Sequence, residues 1–188
     1  GSEMCIRDSS KAYEVLTNLS STKNNIILDF NYTASTRLIL KQCGLSDEDI
    51  DNRLIKVHGE ASNNDIIFGV EDNAGIKKEH VFLRKAYNIK YKALNFSELY
   101  DRIKSVAIFG HSLGETDHTY FNKLFQESCM YNKFSTNNNK EFWLFYYKEN
   151  GYHCMMQQLD SLTHNSLTSF RQYNRVNFIN TDKEKVFI

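Results

Sequence analysis

The feature that most constrains this chain is an alternation. Short, largely apolar runs mostly alternate with stretches of helical spacing. The runs fall at residues 26–28, 54–57, 65–68, 105–109, 142–147 and 176–179. Helical spacing covers residues 11–19, 33–43, 77–87, 95–103, 116–130, 152–162 and 167–173. A strand that is apolar at every position, not at every second one, is covered on both faces. Such strands belong to parallel sheets whose crossovers are helices. The expected fold is therefore α/β, a mainly parallel sheet sandwiched by helices in the Rossmann-like manner. Gly44 stops the 33–43 helix, and Ser46-Asp47-Glu48-Asp49 reads as an acidic turn with Ser46 as a cap.

Composition narrows the function classes. Lys and Arg number 23 and so do Asp and Glu, which leaves no basic field for displacing counterions from nucleic acid. No run approaches the roughly 18–20 apolar residues that cross a bilayer. The four cysteines (Cys5, Cys43, Cys129, Cys154) show neither a C-x-x-C pair nor zinc-finger spacing, and read as reduced thiols of a cytoplasmic protein. Residues 1–10 open with Gly1-Ser2, a protease-cleavage scar, and carry no period. They are set aside as an expression or sequencing leader, with one domain over 11–188.

In an open parallel sheet, ligands collect beyond the carboxyl ends of the strands. The residues there are Asn31, His58 with Gly59, Gly69, and the pentapeptide Gly110-His111-Ser112-Leu113-Gly114. Each has a plain alternative: Asn as a turn former, His as a structural residue, Gly69 as the relief of a tight turn. The pentapeptide fits G-x-S-x-G between a strand and a helix, the setting of a hydrolase nucleophile elbow with Ser112 as nucleophile. Its triad partners would be Asp160 with His164 or His153, but Asp160 and His164 lie four residues apart in one segment, and no glycine-rich oxyanion-hole segment precedes the loop. The other reading is a phosphate or ribose cradle, with backbone N–H groups and the Ser112 hydroxyl as donors.

The blocks Asp29-Phe30-Asn31-Tyr32-Thr33, Val57-His58-Gly59, Ile66-Ile67-Phe68-Gly69 and Phe109 to Asp117, in that order, resemble the bacterial abortive-infection AbiH family of phage-defence proteins. The resemblance runs from about Ile26 to Ile179. That family is distantly similar to sirtuin-like NAD-binding domains. The resemblance implies NAD or a related nucleotide as ligand. It gives Asn31 the positioning of cofactor and water, His58 the role of general base, and Gly59, Gly69, Gly110, His111, Ser112, Gly114 and Asp117 the cofactor contacts. Thr33 stands where sirtuins have an aspartate, and no glycine-rich first strand-to-helix turn precedes Ile26. On the resemblance the fold is thus expected to be incomplete at its N-terminus.

Three functions compete on these grounds. The first is a phage-defence protein whose nucleotide site cleaves the nicotinamide–ribose bond of NAD, with Asn31 and His58 catalytic. The second is a non-catalytic sensor or interaction module that recognises a phage protein or a partner chain, with residues 142–147 read first as a buried strand and otherwise as the surface of a homo-oligomer. The third is the Ser112 hydrolase. No metal site, membrane contact or direct nucleic-acid binding is expected.

Overall fold

The computed structural model describes residues 2–22, 24–61, 75, 77–83, 96–130 and 139–184. Two compact units divide the chain, Gly1–Phe68 with Lys185–Ile188, and Gly69–Glu184, a division that the sequence pattern does not announce. The expected strand at 65–68 and Gly69 lie outside the described residues, as do residues 84–87 of the expected 77–87 helix, whose described part forms a 3-10 helix over Lys78–Leu83.

The first unit begins with α1 (Ser2–Ser20), so that the helix expected from residue 11 starts nine residues earlier. β1 (Ile27–Asp29), α2 (Ser35–Gln42), α3 (Asp47–Arg53) and β2 (Leu54–Lys56) follow. β1 and β2 pair in parallel, Ile27 opposite Leu54 and Asp29 opposite Lys56. Leu16, Leu40, Ile50 and Leu54 form the buried core, one from each helix and one from β2, with Leu19, Ile27, Ile39 and Leu45 packed around it. Burying each such side chain stabilises by about 1.5–3 kcal/mol.

The acidic stretch expected as a turn is α3. Ser46 Oγ accepts the Asp49 N–H (3.1 Å), capping it, and the acids of its first turn suit the positive helix end. Lys41 (2.8 Å) and Arg37 (3.4 Å) reach back to Asp47, and Arg37 also pairs with Asp51.

The second unit holds α4 (Phe96–Arg102), β3 (Ser105–Ile108), a 3-10 turn (Glu115–Asp117), α5 (His118–Ser128), β4 (Glu141–Tyr146), α6 (Lys148–Leu162), α7 (Leu167–Tyr173) and β5 (Arg175–Asn180). The three strands make a parallel sheet with β4 in the middle. The α/β class and the parallel pairing expected from the apolar runs are thus what the chain forms.

Side chains alternate across a sheet, so Phe142 and Leu144 share one face. Both are fully buried there. Phe142 meets Phe125 of α5 (5.6 Å between centroids) and Phe170 of α7 (4.7 Å), and those two rings meet each other at 5.5 Å. On the opposite face Ser105, Ala107 and Arg175 are exposed, while Phe145 and Ile179 are buried toward the carboxyl end.

Buried polar groups at the opposite, amino edge of this sheet are matched. Asn174 donates to Ser128 O (2.6 Å) and Phe170 O (2.8 Å) and accepts from the Lys140 N–H (3.2 Å). The Lys140 ammonium caps the end of α4 through Tyr100 O (2.8 Å) and Ile103 O (2.9 Å).

Candidate functional site

In the first unit the register decides where the expected residues emerge. Asp29 and Lys56 are paired last residues of β1 and β2. Asn31 and His58 each lie two residues beyond, so they leave the same carboxyl edge at the same level. Rings confirm that the two turns meet: Tyr32 stacks on His58 (5.7 Å between centroids, 23° between planes) and Phe30 meets His58 edge-on (5.4 Å). His58 retains 6% exposure in this sandwich. Gly59 adopts φ +75°, left-handed backbone suited to glycine, and its N–H closes a turn on Lys56 O (3.3 Å).

Asp29 is the hub of this edge. One carboxylate oxygen accepts the Asn31 N–H (2.9 Å) and the other accepts the Lys56 ammonium (2.9 Å). Lys56 also donates to Asn31 O (2.5 Å) and Thr33 O (2.6 Å). Ala61 N–H donates to Tyr32 O (2.9 Å), tying the turn to the segment after His58. The Asn31 side chain stands exposed, with no hydrogen-bond partner among the described residues.

In the second unit the pentapeptide follows β3. Gly110 turns the chain at φ +64°, and a Cβ there would meet nothing within 4 Å. Leu113 also adopts a positive φ, 55°, with its side chain fully buried. That left-handed leucine is held from both sides. Its N–H donates to His111 Nδ1 (2.9 Å), and its carbonyl accepts from His118 Nε2 (3.0 Å), which also lies 2.9 Å from Gln158 Oε1. Because His111 Nδ1 accepts, its proton sits on Nε2, which donates to Asp117 Oδ2 (3.1 Å). His111 and Asp117 thus brace the loop.

What the loop offers outward is Ser112. Its hydroxyl is exposed, and the N–H groups of Ser112 and Gly114 have no acceptor among the described residues. Two amides and a hydroxyl at a strand's carboxyl end are donors suited to an anion. Among the described residues no histidine hydrogen-bonds Ser112 Oγ. His164, the expected triad base, is bound by Gln126 (3.1 Å), more than two turns along α5 from His118, about 12 Å of helix. His153 is exposed on α6 beside Glu149 (3.8 Å).

Sequence reasoning singled out neither Asp29 with Lys56 nor the brace of Leu113 and His118. It also passed over an open cavity of about 520 Å³ beyond β4 and β5, lined by Tyr146, Tyr152, Asn180 and Lys183 among others. The signal for Asp29 was its place at the end of an apolar run, where a carboxylate is unexpected.

The first unit's edge offers a buried imidazole beside an exposed amide, and the second unit's edge, by itself, offers hydrogen-bond donors. No group of three or more His, Cys, Asp or Glu suited to a metal ion occurs among the described residues. No described helix is long and apolar enough to cross a membrane. The family model described as bacteriophage abortive infection AbiH matches residues 3–145. No curated protein and no solved structure matches the chain.

Proposed function

Since the chain belongs to the AbiH family of bacteriophage abortive infection, we propose that it acts in that defence by binding a nucleotide, NAD or a relative, at the carboxyl ends of its parallel strands. One observation carries the reading. The N–H groups of Ser112 and Gly114 and the Ser112 hydroxyl point no hydrogen bond at any described residue, the arrangement a phosphate completes. The turn after β1 has no glycine, so the first unit does not build the pyrophosphate cradle of a dinucleotide fold there, whereas the second unit's 110–114 loop offers free donors of its own. An open cavity lies at the carboxyl edge of the same sheet beyond β4 and β5, where Lys148 and Lys183 stand beside Glu149 and Asp182.

The first unit is read by itself: Asn31 and His58, at the carboxyl edge of its own sheet, are the residues proposed for catalysis. In nicotinamide–ribose cleavage, a water held by the Asn31 amide adds its oxygen to the ribose carbon as the bond to nicotinamide breaks. The water's proton passes to His58. A second reading, a nucleotide sensor without turnover, is favoured by the burial of His58 between Tyr32 and Phe30.

The test is calorimetric titration with NAD, ADP-ribose and ATP, with chromatography for free nicotinamide. Ser112→Ala is expected to weaken binding roughly fivefold, the worth of one hydrogen bond of about 1 kcal/mol. His58→Gln should abolish nicotinamide release and leave affinity unchanged. Binding without release in the wild type selects the sensor. A folded wild type that binds none of the three at about 1 mM ends the nucleotide reading.

A further inference from the structure

We infer that Lys56 is a positioning residue, setting the 31–33 turn and, through the Tyr32 ring, the orientation of His58. An ammonium has three hydrogens, and Lys56 places all three on this edge: Asp29 Oδ2, Asn31 O and Thr33 O. The lysine side chain is 14% exposed and the Asp29 side chain 3%. Neither group could be buried there alone without a large desolvation cost, so the pair exists as a unit.

The unit holds what flanks Tyr32. Asp29 takes the N–H of Asn31 and Lys56 takes the carbonyls of Asn31 and Thr33, while Ala61 N–H takes the carbonyl of Tyr32 itself. Every carbonyl of the turn is therefore engaged, two of them by one ammonium. The Tyr32 side chain has a single backbone frame from which to stack on His58. A guanidinium could not replace the lysine, because its planar fork does not converge on three acceptors about one point. This inference rests on the reading of Asn31 and His58 as site residues. Lys56 touches neither substrate nor reacting atoms.

The experiment is ¹H–¹³C correlation NMR of the histidine rings, with the His58 signals identified by their loss in His58→Gln. In the wild type those signals are displaced from those of exposed His80 and His153 by the ring currents of Tyr32 and Phe30. Lys56→Met should bring them toward the exposed positions and leave those of His118 in place. Because Lys56→Met strands a buried carboxylate, the second variant is Asp29→Asn combined with Lys56→Met. It leaves no buried charge, and its Asn side chain still accepts the Asn31 N–H. In the same samples nicotinamide release should fall roughly tenfold or more, while the Kd for NAD stays unchanged as it does in His58→Gln. A His58 spectrum unchanged in the folded double variant overturns the inference. A wild type that ignores NAD defeats the nucleotide reading alone, since the ring signals still decide the role of Lys56.

Discussion

The two glycines of the pentapeptide should respond oppositely to the same substitution. At Gly110 the backbone sits at φ +64°, and an added methyl would meet nothing within 4 Å. Gly110→Ala therefore gains and loses no contact, and its cost is that of a left-handed L-residue, about 1–2 kcal/mol. Gly114 sits at φ −57° and ψ 153°, extended backbone that alanine adopts freely. Its added methyl would lie 3.4 Å from Ser112 Oγ, an ordinary contact. Gly114→Ala should stabilise by about 0.4–1 kcal/mol through the lower entropy of the unfolded chain. For a chain of this size 1 kcal/mol moves the unfolding temperature by about 2–4 °C. Thermal unfolding followed by circular dichroism should thus show a fall of roughly 2–8 °C for Gly110→Ala and a rise of roughly 1–4 °C for Gly114→Ala. Equal losses, or a Gly114→Ala variant destabilised by more than about 1 kcal/mol, would refute the loop geometry on which the phosphate reading stands.

Phe142→Ala removes the ring shared by Phe125 and Phe170 from a fully buried position. It should cost about 3–5 kcal/mol in urea unfolding, and a loss below about 1 kcal/mol would mean that this cluster is not the core of the second unit. Burial pushes the Lys140 ammonium below the ordinary lysine value, against weaker opposing pulls from Asp101 and Glu127. In the window just under that ordinary value the unfolded chain holds the proton that the folded chain has lost, so stability rises with pH there. Lys140→Met should lack this gain when unfolding midpoints are compared across that range, and parallel pH profiles would contradict it.

Much of this architecture was legible in the sequence, for reasons that differ by element. The strand containing Ile27 and Leu28 and the one containing Val106 and Ile108 announced themselves because both faces are apolar. The 167–173 helix matched residue for residue. The 47–53 helix was hidden because only Ile50 is buried on it and its stability comes from the Ser46 cap and ion pairs with α2, which leave no apolar period. The start of α6 at Lys148, ahead of the expected Tyr152, was hidden likewise, since Lys148 to Gly151 holds no apolar residue. Strand-end position alone pointed to Asn31 and His58 in the first unit and to Ser112 in the second. Asp29 and Lys56, 27 residues apart, become partners only through the parallel register, which no local pattern encodes. His111 was visible as a polar loop residue, but its commitment to Leu113 and Asp117 depends on a backbone turn that sequence does not specify.

The place of β5 in the second sheet has a consequence for biosynthesis. β4 is flanked by a strand made before it and a strand made after it. While the ribosome is still adding residues 175–180, one margin of β4 carries unmet amide and carbonyl groups beside Phe142 and Leu144. Such a margin invites pairing between neighbouring nascent chains on a polysome. Premature termination ahead of Arg175 would make that exposure permanent, and the stunted product would be a substrate for chaperones and proteases.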